Sequence, residues 1–181
     1  MTPAYVDLLR TGELERRAAA LRELLEACAL CPRSCGARRL TGETGVCRTA
    51  RLPVFSSGFA HFGEESPLVG HRGSGTIFFA HCNLLCAFCQ NHDISHEGAG
   101  EEIEIGRLAD IMIGLEKAGC HNINVVTPTH VTAQIVEALS LAAARGLRLP
   151  LVYNCGGYES VHTLKLLDGI EDIYMPDFKY C

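Results

Sequence analysis

The chain has 181 residues, of which 48% are hydrophobic and 20% charged, with a formal net charge of −5. That is ordinary for a globular protein with one sizeable core and room for a small appended module. No basic footprint points to nucleic acid, and no apolar run is long enough to span a bilayer, so neither nucleic acid nor membrane is expected as a partner. The opening Met-Thr-Pro-Ala-Tyr-Val-Asp has neither a basic stretch nor an apolar signal core, so a cytoplasmic protein is expected. In that setting ten cysteines argue for metal binding in a reducing compartment rather than for disulfides.

Residues 12–27 predict an amphipathic helix, because Leu14, Ala18, Leu21, Leu24 and Leu25 recur at helical spacing with Glu and Arg opposite. The helix runs into Cys28, Cys31 and Cys35, and Cys47 follows a Thr-Gly-Glu-Thr-Gly segment, a C-x2-C-x3-C-x11-C pattern broken by Pro32 and glycines. Four soft ligands suit a closed tetrahedral zinc site or a second, fully ligated iron–sulfur cluster; small reduced core thiols are the third reading. Residues 1–50 are therefore expected as a helix and four-cysteine module ahead of a second unit over 51–181. Residues 51–75 predict a connector with strand character at Val54 and Phe55. The adjacent Glu64 and Glu65 are expected to be solvated in a turn, since neighbours on a strand face opposite sides.

Thr76, Ile77, Phe78, Phe79 and Ala80 read as a buried strand, which releases Cys82, Cys86 and Cys89 into a tight loop followed by Gln90 and Asn91. Three thiolates on a cubane cluster fix three irons and leave the fourth open, and an open position marks a catalytic rather than a structural metal site. Zinc with a distant fourth ligand, or unligated core thiols, are the alternatives. An α/β alternation follows. Leu108, Ile111, Met112, Leu115 and Ala118 mark a helix closed by Gly119. A strand over 122–126 ends at Thr127, Pro128, Thr129 and His130. A helix over 131–145 leads to a strand over 150–153, which ends at Asn154, Cys155, Gly156 and Gly157. A helix over 159–167 leads to a strand over 173–175, which ends at Pro176, Asp177, Phe178 and Lys179. Such alternation predicts a parallel sheet of βαβ units. All four strands are apolar along their length and polar at their carboxyl ends, the face on which parallel barrels build their sites. Asp177 and Lys179, two apart, share one face. Cys120 reads as a small buried hydrophobe and Cys155 as an unligated thiol on the site face, whereas Cys181 has no structural context. Four strands, the last with an uncovered edge, predict a fragment of a longer protein.

The Cys82-x3-Cys86-x-Phe88-Cys89 segment resembles the signature of the radical S-adenosylmethionine superfamily. Cys31-Pro-Arg-Ser-Cys35-Gly36, the Gly42-x-x-Gly45-x-Cys47 segment and the stretches 63–70 and 73–79 resemble its pyruvate formate-lyase activating enzyme-like subgroup of unassigned substrate. The resemblance runs from Cys28 to the last residue. It implies an α/β fold, a partial (β/α) barrel here seen through four of its strands. It also implies a [4Fe–4S] cluster on Cys82, Cys86 and Cys89 whose open iron binds the amino and carboxylate groups of S-adenosylmethionine. Reduction by a donor such as flavodoxin or ferredoxin would then yield methionine and a 5′-deoxyadenosyl radical. That radical abstracts hydrogen from a substrate the sequence does not name, a protein (a glycyl-radical enzyme) among the nearest relatives by motif. By position, Thr127, Thr129 and His130 stand where such enzymes hold the amino group of S-adenosylmethionine, without the subgroup's Gly-Gly-Glu. Asn154, at the next strand end, joins the expected cofactor-binding set. Phe88 would lie against adenine, and Asp177 with Lys179 would contact S-adenosylmethionine. His81 and Leu85 stand where the subgroup carries a Gly and a basic residue. The competing expectation is a non-catalytic iron–sulfur or zinc module with a structural or electron-transfer role.

Overall fold

The structure, a computed structural model, describes residues 2–179, so Cys181 lies outside the described residues. Two helices open the chain, α1 (Tyr5–Arg10) and α2 (Glu13–Glu23). α1 was not expected from the sequence. It is pinned by Tyr5, a fully buried ring whose hydroxyl donates to the Leu149 carbonyl at 2.8 Å. α2 stops short of the expected end at 27. Its amides give way to tight turns, Leu25 to Arg22 and Glu26 to Glu23, which bring the Cys28 amide onto the Ala37 carbonyl.

A six-stranded sheet follows, comprising β1 (Val54–His61), β2 (Ser74–Phe79), β3 (Glu101–Glu102), β4 (Ile123–Val126), β5 (Leu151–Cys155) and β6 (Ile173–Pro176). Its order is β3-β1-β2-β4-β5-β6. The four strands from β2 to β6 are parallel, as the βαβ alternation predicts. The sheet as a whole is mixed, which the sequence did not show. β1 is an eight-residue strand antiparallel to β2, bulged near Phe55, and β3 pairs antiparallel at its outer edge. The connector reading of this region failed because Ser56, Ser57 and Gly58 dilute the apolar alternation that marks a strand.

The remaining helices are α3 (Ser66–Val69), α4 (His92–Ser95), α5 (Ile105–Lys117), α6 (Thr132–Ala144) and α7 (Val161–Leu167). Successive strand residues point to opposite faces. Ile77, Ile123, Val125, Leu151 and Tyr153 point into a buried cluster with Leu108 and Met112 of α5 and Ile135, Val136 and Leu139 of α6. α6 has ten buried positions because it lies between α5 and α2. Leu14, Leu21, Leu25 and Leu30 join the same cluster. No helix among the described residues is long and apolar enough to cross a membrane.

Tyr5 ties both the unexpected first helix and the segment leading into β5. Tyr5→Phe is expected to lower the unfolding free energy by about 1 kcal/mol, through loss of one hydrogen bond. Tyr5→Ala should cost roughly 3–5 kcal/mol, as for other large aromatic deletions from a core. Denaturant titrations of the two variants check this, and equal losses would contradict the hydrogen bond's separate contribution.

Candidate functional site

The parallel register draws one row across the sheet: Phe78 opposite Val126, Val126 opposite Asn154, and Asn154 opposite Met175. All four face away from the helices and line a cavity of about 1000 Å³. Cys82, Cys86 and Cys89 line the same cavity, together with Phe88, Thr127, Asn154, Asp177 and Lys179. Cys82 is buried and its Sγ accepts the Leu84 amide at 3.3 Å. The Sγ of Cys89 accepts the Ser95 hydroxyl at 3.2 Å, and the Cys89 amide closes a turn on the Cys86 carbonyl at 3.1 Å. Donors aimed at sulfur orient the thiol side chains. Among the described residues no three Cys, His, Asp or Glu side chains are gathered as a metal-coordinating group.

The loop is held in an unusual backbone conformation. His81 and Leu85 have φ of 69° and 57°, and Thr127, at the end of β4, has φ of 52°. This left-handed region favours glycine, and side chains adopt it only where the surroundings enforce it. His81 therefore occupies a glycine-like conformation at the position where the resembling subgroup carries Gly. Its amide donates to Ile94 at 2.9 Å, which locks the turn.

Asp177 and Lys179 form an ion pair, with Oδ2 2.6 Å from Nζ. The pair lies beyond the last residue of β6, partly open to solvent. The Lys179 pKa is raised, first by the Asp177 bond and least by Cys86 and Cys89, which line the same cavity. Phe88 also lines the cavity but is 65% exposed.

Thr129 and His130 do not join the cavity wall. The Thr129 hydroxyl donates to Glu159 Oε1 at 2.5 Å, and His130, 1% exposed, donates from Nε2 to the Ala80 carbonyl at 2.9 Å. A 3₁₀ turn over Pro128–Val131 rotates both side chains inward, so only Thr127 of that loop reaches the site. His130 instead lines a small cavity with Cys28, Cys31, Cys35 and Cys47. There the Cys31 thiol is pushed up, chiefly by burial and further by Cys28 and Cys47 close by. Cys155, buried at the site face, has its thiol pushed up to about 12, above all by burial, which keeps it protonated. Cys120 is buried as expected.

The structure adds residues that sequence reasoning passed over. Glu64 is half-buried in the wall of the large cavity, whereas Glu65 is exposed as expected, and the Glu64 carboxyl pKa is raised, first by burial. Asn124 lies beside it, fully buried, and its side chain acts on the Glu64 carboxyl in the opposite direction, lowering its pKa. An Asn in mid-strand was the available signal, since a polar residue inside an apolar run must face something polar.

The chain is similar to an uncharacterized protein of Methanocaldococcus jannaschii, 32% identical over 184 residues, an alignment covering 97% of this chain and 52% of that protein. It thus spans about half the length of the curated relative it matches. No protein-family model and no solved structure matches.

Burial holds His130 neutral, with its pKa lowered from 6.5 to about 4, and the nearby Arg39 and His81 act in the same direction. The unfolded chain therefore takes up this proton first. The stabilisation is complete above about pH 6.5 and is lost as pH falls toward 4, to a total on the order of 3 kcal/mol. His130→Gln should flatten this acid limb relative to wild type. Denaturant midpoints at neutral and acid pH measure it, and parallel limbs in the two proteins would refute the assignment.

Proposed function

We propose that the chain carries the catalytic portion of a radical S-adenosylmethionine enzyme of the activating-enzyme-like type, built on a partial (β/α) barrel. The observation that carries this reading is the shared cavity. Three cysteines at C-x3-C-x2-C spacing share it with the carboxyl ends of four parallel strands, and the 61–68 segment completes the wall. The sulfurs of Cys82 and Cys89 accept hydrogen bonds, and the space is ample for a cluster together with a nucleoside-sized ligand. The donor set and the space fit a [4Fe–4S] cluster on Cys82, Cys86 and Cys89. Such a cluster, with S-adenosylmethionine at its open iron and an electron from a flavodoxin- or ferredoxin-like donor, supplies a 5′-deoxyadenosyl radical for hydrogen abstraction from a substrate, by motif analogy a protein glycine.

The chain's own residues then have distinct tasks. The left-handed turns at His81 and Leu85 aim the thiols into the cavity. Lys179 and Asp177 offer a cation and an anion to a ligand that carries carboxylate, ammonium and hydroxyl groups. Thr127 and Asn154 supply polar groups from neighbouring strand ends, and Phe88 supplies an exposed aromatic face. An electron-transfer module with an all-cysteine cluster would have no use for so large a cavity beside its metal.

Two tests follow, both on the full-length protein reconstituted anaerobically with iron, sulfide and reductant. Replacing Cys82, Cys86 or Cys89 singly by Ala is expected to remove the cluster and all 5′-deoxyadenosine formation, and persistent cleavage in any one variant would sink the assignment. Asp177→Ala and Lys179→Ala should assemble the cluster normally. Each should bind S-adenosylmethionine about ten- to a hundredfold more weakly, the cost of roughly 1.5–3 kcal/mol for a charged hydrogen bond. Unchanged affinity in both would reduce the pair to a rim salt bridge.

A further inference from the structure

The four N-terminal cysteines take no part in the chemistry just proposed, and their surroundings differ in kind from those of Cys82, Cys86 and Cys89. Cys28, Cys31, Cys35 and Cys47 all line one cavity of about 10 Å³. That volume is roughly one water-sized sphere. It suits a single small ion and is far too small for a four-iron cluster. Tight turns deliver the thiols to it. The Gly36 amide donates to Cys28, the Ser34 amide to Cys31 and the Arg48 amide to Gly45, with φ positive at Ser34, Gly36 and Arg48. Gly45 is needed for close approach, since an added Cβ would sit 2.5 Å from the Cys35 sulfur.

A second observation is independent of the thiols. Arg39 lines the same cavity, is fully buried, and makes no ion pair among the described residues. Its Nε donates to the Ala50 carbonyl at 3.1 Å and its Nη1 lies 3.7 Å from Cys28 Sγ, while Nη2 has no partner. A guanidinium keeps its charge in a protein, and a buried charge without a counter-charge is strongly unfavourable. Neutral thiols supply no counter-charge. Four thiolates around one divalent ion leave a net negative group beside the guanidinium, and they satisfy it.

We propose that Cys28, Cys31, Cys35 and Cys47 bind one zinc ion as a closed tetrathiolate site with Arg39 as its buried counter-cation. The four sulfurs share the cavity without being drawn into a coordinating group, so the turns close on the ion as it binds and the thiol protons leave to solvent. The site is coupled to the larger cavity through Arg33, which lies between Cys31 and Cys35. Arg33 Nε donates to the Asn83 carbonyl at 2.5 Å, and its guanidinium lies 5.9 Å over the Tyr158 ring. Asn83 Nδ2 donates in turn to the Tyr158 carbonyl at 3.2 Å. Asn83 follows Cys82 directly, so a zinc-ordered loop grips the loop that carries the first cavity cysteine and acts on it as a positioning element.

The test uses full-length protein in which Cys82, Cys86 and Cys89 are all replaced by Ala, produced with both zinc and iron supplied. Elemental analysis is expected to find about one zinc per chain and no iron. Cobalt exchanged into the site should show thiolate-to-cobalt charge transfer and the intense visible bands of a tetrahedral centre. Arg39→Leu in that background should lose zinc to a chromophoric chelator with an affinity lowered about 10- to 100-fold, as for loss of other groups that support metal ligands. Metal-free protein, or iron with sulfide in place of zinc, would overturn the proposal. If the triple variant does not fold, reconstituted wild type decides. About one zinc beside about four irons supports the site, and about eight irons without zinc refutes it. The outcome is separate from the cluster assignment, because a zinc site in a protein that cleaves no S-adenosylmethionine would leave this inference standing.

Discussion

The in-register parallel pairing of β2, β4, β5 and β6 is the constraint on which the site depends. Parallel strands require crossover connections, and here α5, α6 and α7 pack on one sheet face, while on the other face the row Thr76, Asn124 and Val152 is also buried and the open space lies toward the carboxyl ends. Because the register is even, the carboxyl ends fall at one level, and the row Phe78, Val126, Asn154 and Met175 becomes a cavity wall. A slip of one residue in any strand would turn its polar end into the helical core and its apolar core residues into the cavity. The buried cluster around Ile123, Leu139 and Leu151 opposes such a slip.

On that frame the backbone outliers have a common location. Among the described residues, the non-glycine positions with positive φ are Ser34, Arg48, His81, Leu85 and Thr127. Each lies in a cysteine segment or at the strand end that faces the thiols. Strain of this kind persists where tertiary structure enforces it and clusters at functional sites. Hydrogen bonds join the two cysteine segments, from Arg33 to Asn83 and from Arg48 to the His96 carbonyl at 2.9 Å. The two thiol groups are therefore mechanically linked, although one lines a large open space and the other a space of about 10 Å³.

Much of this was legible in the sequence. The apolar runs with polar termini located all four parallel strands, whereas Asp177 and Lys179 meet as an ion pair beyond the end of β6 and not as neighbours on a strand. Helix positions were right to within a few residues where periodicity was strong, as at α5 and α6. β1 escaped notice because its middle is Ser, Ser and Gly, so that pairing with β2 and not local preference makes it a strand. α1 is too short to show a period, and its burial rests on one aromatic anchor. The inward rotation of Thr129 and His130 follows from a 3₁₀ turn that Pro128 initiates, and spacing alone does not reveal which side chains such a turn presents. Glu64 and Asn124 meet across the fold, from a loop and a strand sixty residues apart in sequence, a separation no local pattern reports.

The central claim is that the Cys82, Cys86 and Cys89 loop holds a cluster with one iron open to S-adenosylmethionine. The most direct measurement is the electron paramagnetic resonance spectrum of the reduced, reconstituted full-length protein before and after adding S-adenosylmethionine. Ligation at an open iron changes that cluster's environment, so the account predicts a shifted spectrum on addition and no such shift in the Cys86→Ala variant. A reduced cluster whose spectrum is indifferent to S-adenosylmethionine would contradict it.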